Sequence, residues 1–190
     1  MNQPSVAEIN TRRLSLHRIK EEDLTNLIIM HSDLQMMRTL GGIRSEKQTA
    51  AFLQEQLEHW QRHGYGEWIA YELETGLFVG RGGLRHVLIA GREELEVGYK
   101  IMPEFWRQGM ATEMASAFVV IAFKSLEKSE LVCYTLSENR ASVHVMEKVG
   151  FNFEREIQLN NRLHLFYRLR RTSWEAQNKR GQTKLGLSRS

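Results

Sequence analysis

The chain has 190 residues, the size of one domain, and 42% of them are hydrophobic and 26% charged. These values exclude a disordered or fibrous chain, and a lone cysteine, Cys133, excludes an internal disulfide framework or a thiolate-rich zinc site. The longest uncharged run, Met114–Phe123, falls well short of the ~20 apolar residues needed to cross a bilayer. The opening MNQPSVAEINTRR has no apolar signal segment, so a cytoplasmic protein without a membrane partner is expected.

The formal charge of +3 is unevenly spread. Arg170, Arg171, Lys179, Arg180, Lys184 and Arg189 face a single acid, Glu175, over the last 21 residues. The rest of the chain is near neutral and shows no basic stripe for phosphates, so no specific nucleic-acid partner is expected. Residues 171–190 are expected to form a basic, poorly ordered tail on a domain spanning 10–170.

In chain order, Thr11–Ile19 alternates as a strand, and Glu21–Asp33 carries Leu24, Leu27, Ile28 and His31 at helical spacing. Gly41-Gly42 breaks the pattern. Ser45 and Gln48 form a capping-box signature, opening a helix that runs to His63 and stops at Gly64. Strands follow at Glu67–Glu72, Leu77–His86 and Glu93–Met102, with turns at Thr75-Gly76 and Ala90-Gly91. A helix from Gly109 to Leu126 is lined by Met110, Met114, Phe118, Ile121 and Ala122. Leu131–Leu136 is a short strand, and Asn139–Val149 a helix closed by Gly150. Phe151–Leu159 and Arg162–Leu169 pair around Asn160-Asn161. The result is one α/β domain with a mixed, mostly antiparallel, seven-stranded sheet. The helix between Met102 and Leu131 makes that one connection a parallel crossover.

The informative stretch is Leu95–Ala115. Gly98 interrupts a strand, as at a bulge or a close ligand approach. Gly109 and Ala111 open a helix, whose first turn has free N–H groups and a partial positive charge suited to phosphate. A tight loop that needs Gly109 only for its dihedrals accounts equally well for that glycine. Gly80-Arg81-Gly82-Gly83 lacks the spacing of a dinucleotide fingerprint and reads as sheet backbone. The seven histidines are read as giving no metal site, and Cys133 as core.

Pro103-Glu104-Phe105-Trp106-Arg107-Gln108-Gly109-Met110-Ala111-Thr112-Glu113 resembles the acetyl-CoA-binding motif of the GNAT N-acetyltransferase superfamily, in the form P-x-x-W-G-x-G-x-A-T-E of its RimJ/RimL-like, ribosomal-protein branch. Arg107 stands where that motif has glycine. Asn139-Arg140-Ala141-Ser142 with Glu147-Lys148-Val149-Gly150-Phe151 is similar to the family's N-x-x-S … E-K-x-G-F, and Thr11-Arg12-Arg13-Leu14-Ser15-Leu16 to the branch's opening.

The resemblance implies a strand pair splayed at the cofactor. Pantetheine would pair with Ile101, and pyrophosphate would rest on the N–H groups of Gln108, Gly109, Met110, Ala111 and Thr112. Asn139 would hold the pantetheine arm, although as a helix N-cap it has a purely structural use. Glu96 is the candidate base, and an N–H near Gly98 or Tyr99 the oxyanion donor. Met146 occupies the position of the family's usual tyrosine acid, which leaves Ser142 as the hydroxyl for the leaving thiolate. The activity implied is direct acetyl transfer from acetyl-CoA, without a metal, to a primary amine. A peptide N-terminal α-amine is favoured over a small antibiotic or metabolite amine, or over a CoA-binding module without catalysis. A homodimer is left open.

Overall fold

A computed structural model describes residues 6–184, with side chains to Lys179. The elements are β1 (Glu8–Asn10), β2 (Leu14–Arg18), α1 (Leu24–Ser32), α2 (Leu34–Met37), α3 (Glu46–His63), β3 (Glu67–Glu72), β4 (Phe78–Ile89), β5 (Arg92–Ile101), α4 (Met110–Val120), β6 (Glu130–Leu136), α5 (Arg140–Val149), β7 (Asn152–Leu159), β8 (Arg162–Arg170) and α6 (Arg171–Lys184). They build one sheet in the order β1-β2-β3-β4-β5-β6-β8-β7, in which only β5 and β6 pair in parallel. The sheet has eight strands and not seven, because the short β1 pairs with β2. Its three residues carry no alternation that a sequence pattern could register.

Local signals hold where the chemistry is local. Ser45 Oγ accepts from the Gln48 N–H and Gln48 Oε1 from the Ser45 N–H, at 3.2 and 2.8 Å. Gly64 and Gly150 close α3 and α5 in the left-handed conformation. Asn160 and Asn161 sit at φ 50° and 59°, as a two-residue hairpin turn demands. Three helices depart from expectation. The Glu21–Asp33 segment is a 3-10 turn at Glu21–Asp23 followed by α1, and Asp33 then caps the unforeseen α2 through the Met36 N–H at 2.6 Å. The long helix ends in a π-helical turn, Ile121–Ser125. The expected loose tail is helical over Arg171–Lys184. Trp174 packs against Phe123 with ring centroids 5.4 Å apart, and Arg171 pairs with Glu175 one turn on. The side chains of Arg180, Lys184 and Arg189 lie outside the described residues, as do residues 1–5.

The core sits on both faces of β2–β6. Phe118 and Met114 of α4 lie against Gly82, where a Cβ would come within 3.0 Å of each. Gly83 has no space at all, since a Cβ there would meet the Gly66 carbonyl at 1.9 Å. The Gly80–Gly83 run is therefore sheet backbone under close packing. On the opposite face α1 and the first half of α3 cover Glu67 and Arg81. His31 of α1 lies 3.3 Å from Arg81, and Phe52 of α3 lies under the Arg81 guanidinium.

β5 and β6 share a single paired position, Glu96 with Val132. Below it they are clamped by ions. Arg168 of β8 donates to Glu94 of β5 at 2.7 Å and reaches Glu130 of β6 at 3.3 Å, while Glu154 of β7 takes its Nε at 2.5 Å. Above it, residues 97–101 and 133–136 part.

Candidate active site

The gap between β5 and β6 is lined by main-chain groups without partners. The Met102 N–H bonds to the Val79 carbonyl, so Gly80 and Ile101 form a non-hydrogen-bonded pair of the β4–β5 ladder. Ile101, Tyr99 and Val97 consequently aim their N–H and C=O toward β6, and Gly98 turns its own toward β4. Tyr99, not Gly98, thus offers the N–H for an oxyanion in the gap. The Ile101 carbonyl already accepts from the Trp106 indole at 2.6 Å, which leaves its N–H as the open group.

At the end of β5 the chain passes through Pro103–Phe105 and enters α4 at Gly109, φ 80°. No side chain caps that helix, and the first main-chain bond into its start is from Glu113 N–H to the Gly109 carbonyl. The N–H groups of Gln108, Gly109, Met110, Ala111 and Thr112 have no main-chain partner among the described residues. A row of open donors at a helix start is an anion cradle. Arg107 is held at φ 62°, the left-handed conformation that the glycine of the family motif adopts without strain.

Two distant motifs meet at this cradle. Glu113 accepts from the Thr11 hydroxyl at 2.6 Å, from the Arg13 N–H at 2.7 Å and from Arg13 Nε at 2.8 Å. Arg13 Nη1 also donates to the Gln108 carbonyl at 2.7 Å. These bonds hold the Glu113 carboxyl below its ordinary range. The Thr11–Leu16 and Glu113 signatures are one structural tie, and they bring the Arg13 guanidinium beside Gly109.

Side chains of β5 alternate across the gap. On the α4–α5 face the Tyr99 hydroxyl lies 3.0 Å from Ser142 Oγ and donates to the Ser142 carbonyl at 3.1 Å. Burial, with Cys133 beneath it, raises the Tyr99 pKa well above the ordinary tyrosine value, so the phenol keeps its proton. Sequence patterns singled out Ser142 but missed this phenol, whose only trace is the Glu-x-Gly-Tyr order. Met146 is buried in the core and offers nothing there. Asn139 is the N-cap of α5, its Oδ1 accepting from the Ser142 N–H at 3.2 Å. Its amide NH₂ makes no bond within the described protein. Cys133 is buried, and its thiol is pushed up by that burial, as a core cysteine should be.

On the other face Glu96 is 4% exposed and paired with Arg85, directly opposite it on β4. Arg85 also donates to the Tyr134 hydroxyl at 3.2 Å, and burial with the Glu96 charge raises that phenol to about 12. Next along the strand, Lys100 Nζ lies over Gly98, 3.1 Å from where a Cβ would stand. The sequence-derived residues are therefore split. Ser142 and Asn139 lie on the α5 side, Glu96 on the opposite side, and Ile101 between them in the gap.

His59 and His63 stand four apart on α3, a metal-type spacing that runs against the expectation from sequence. The His86 ring joins them, 4.6 Å from His63 and 6.0 Å from His59 between centroids. Tyr65 occupies the cluster, accepting from or donating to His86 Nε2 at 2.7 Å and offering its carbonyl to His59 at 2.9 Å. Among the described residues no three His, Cys, Asp or Glu are placed to hold a metal ion. Nor is any described helix long and apolar enough to cross a membrane.

A family model described as an acetyltransferase (GNAT) domain matches residues 13–152. The chain is similar to the uncharacterized N-acetyltransferase YoaA of Bacillus subtilis, 28% identical over 148 residues that cover 77% of this chain and 83% of the relative. It superposes on an acetyltransferase from Agrobacterium tumefaciens with TM-score 0.76 and 25% identity, covering 87% and 95% of the two chains. Two further structures share the fold. One is a ribosomal-protein-S5-alanine acetyltransferase from Vibrio fischeri, at TM-score 0.69 and 14% identity over 88% of this chain and 98% of that one. The other is a spermidine N-acetyltransferase from Vibrio cholerae bound to CoA and spermine, at 0.70 and 16% over 85% and 98%.

Proposed function

The chain belongs to the GNAT acetyltransferase family, and on that footing we propose that it acetylates a primary amine, of the peptide N-terminal kind, by direct attack on acetyl-CoA. The observation that carries this reading is the conjunction of two open main-chain surfaces, the uncapped start of α4 and the unpaired edge of β5, joined by the Ile101–Gly109 loop. The first suits a diphosphate, held by the N–H groups of Gln108 to Thr112 with Arg13 and Arg107 nearby. The second suits an amide-bearing arm that pairs like a strand, with the Asn139 amide as a further donor. No metal enters the reaction proposed.

The chain's own groups divide the chemistry. The Tyr99 N–H stabilises the charge that develops on the acyl oxygen. The Tyr99 phenol, protonated at neutral pH and coupled to Ser142, hydrogen-bonds the departing sulfur and supplies the donor that Met146 lacks. Glu96 receives the proton of the amine through the polar space it shares with Tyr134. The amine reaches the gap neutral or loses its proton in step with attack.

An open surface depression of about 440 Å³ is lined by Leu34, Gln35, Arg38, Gly42 and Ile43. It belongs to the α2–α3 loop on the Glu96 side of the sheet. We further propose a RimJ/RimL-like relationship, on the Pro103–Glu113 motif, and a cytoplasmic location. The test is acetyl-CoA thiol release across peptides with different first residues and small amines. Turnover with peptides and its reduction at least tenfold in Glu96→Gln are the expected results. Tight CoA binding with no turnover in the whole panel would leave a binding module in its place. Unchanged kcat/KM for Glu96→Gln across a pH series would remove Glu96 from the chemistry.

A further inference from the structure

The face of the sheet that carries Glu96 holds more positive than negative charge, and the excess is unneutralised. Glu67 is taken by Arg81 and Glu96 by Arg85, both as direct ion pairs. Arg44 and Lys100 then remain. Neither has a carboxylate within 4 Å or a side-chain hydrogen bond to another described residue. Glu55, on the exposed side of α3, and Glu67 are the acids whose charges act on Arg44, and neither is within ion-pair range. Arg44 is half-buried, stacked on Phe52 with its guanidinium carbon 5.3 Å from the ring centroid. Its loop is fixed by the bond from the Arg44 N–H to the His31 carbonyl at 2.9 Å. Arg44 and Arg81 both lie over the Phe52 ring, and Lys100 stands directly opposite Arg81 on β5, so the three cations are neighbours. Arg81 adds a buried Nε with no partner.

The start of α4 and the Tyr99–Ser142 pair occupy the opposite face, so an acceptor has to enter from this one. We propose that the acceptor amine carries an anionic group, a carboxylate or a phosphate, which Arg44 and Lys100 bind while the amine enters the gap beside Gly98. This inference rests on the acetyltransferase reading above and names its substrate class. Desolvating a cation without a partner is costly, and half-buried unpaired cations at a substrate entrance therefore point to an anion that completes them. The same cations favour the neutral form of an arriving amine, the form that attacks the thioester. They oppose a polyamine, whose charge would add to theirs. Burial lowers the Lys100 pKa to about 8, which still leaves the ammonium charged at neutral pH.

The experiment pairs acceptors that differ only in charge, at saturating acetyl-CoA. Peptides beginning with Asp, Asn or Lys are compared, as are free aspartate with its diamide and O-phosphoethanolamine with ethanolamine. We expect kcat/KM at least tenfold higher for the anionic member of one pair, and the pair that responds tells carboxylate from phosphate. Arg44→Gln and Lys100→Gln should each raise KM for that acceptor by about tenfold, equivalent to about 1.4 kcal/mol, with a smaller change in kcat. Arg44→Glu should turn the preference toward the lysyl peptide, and Arg44→Lys should restore part of the original one. Calorimetry with succinate and inorganic phosphate on the CoA-loaded protein gives a readout free of turnover. Arg44-dependent binding of either anion with no amine acetylated would sustain this site while defeating the acetyltransferase reading. Acetylation without charge preference, and no anion binding, would overturn this site and leave the enzyme standing. Neither turnover nor anion binding would overturn both.

Discussion

Arg107 offers a quantitative test of the loop that leads into α4. The loop needs a left-handed residue at this position, and Arg107 adopts φ 62° to supply it. An L-residue pays about 1–2 kcal/mol for that conformation. Replacing it by glycine removes the cost but returns about 0.5–1 kcal/mol through the freer unfolded chain. The Arg107 side chain is exposed and makes no ion pair or hydrogen bond within the described protein, so nothing else is lost. Arg107→Gly is therefore expected to stabilise the ligand-free protein by about 0.5–1 kcal/mol, a rise in Tm of about 1–4 °C for a chain of this length. Urea titration at matched m-value checks the free energy directly. Arg107→Ala is the control, since it keeps the Cβ and should change stability by much less. If glycine proves no better than alanine, the strain assigned to this loop does not exist.

Other expectations follow from the same geometry. Tyr99→Phe should lower kcat by about 100-fold or more with little change in KM for acetyl-CoA, the size of one general acid's contribution; an unaltered kcat would show that the phenol does not serve the leaving group. Glu113→Gln breaks the charged tie to Thr11 and Arg13, and should cost about 1–3 kcal/mol and weaken CoA binding measured by calorimetry. For acid stability, His31 is fully buried with its pKa lowered to about 3 by burial and by Arg81. The unfolded chain takes up that proton first, below the ordinary value of 6.5, so folding weakens as pH falls through the window from 6.5 toward 3. The loss is about 1.4 kcal/mol per pH unit, or about 2 kcal/mol at pH 5. A His31→Gln variant should flatten that slope in urea titrations at pH 7 and pH 5, and an equal slope in both proteins would show that His31 is not its source.

The sequence by itself determined what depends on neighbours along the chain. Ser45 with Gln48, Gly64, Gly150 and Asn160-Asn161 act through dihedrals and bonds spanning a few residues, and each lies where its signal put it. The uncapped start of α4 was legible for the same reason, since Gly109 and Ala111 state it in two residues. Tertiary structure alone decided how those pieces became a site. The clamp below the paired position of β5 and β6 joins Arg168 of β8 to Glu94 of β5 and Glu130 of β6, strands far apart in the chain. The pairing of Glu96 with Arg85 follows from strand register, and the meeting of Tyr99 with Ser142 from the packing of α5 across a gap. The tie from Arg13 to Glu113 spans 100 residues, and the unpaired charges of Arg44 and Lys100 are visible only once Glu67 and Glu96 have taken Arg81 and Arg85 as partners. A charge is counted in the sequence, but whether it is neutralised is settled by three-dimensional neighbours, because Coulomb energy depends on distance and burial and not on position in the chain.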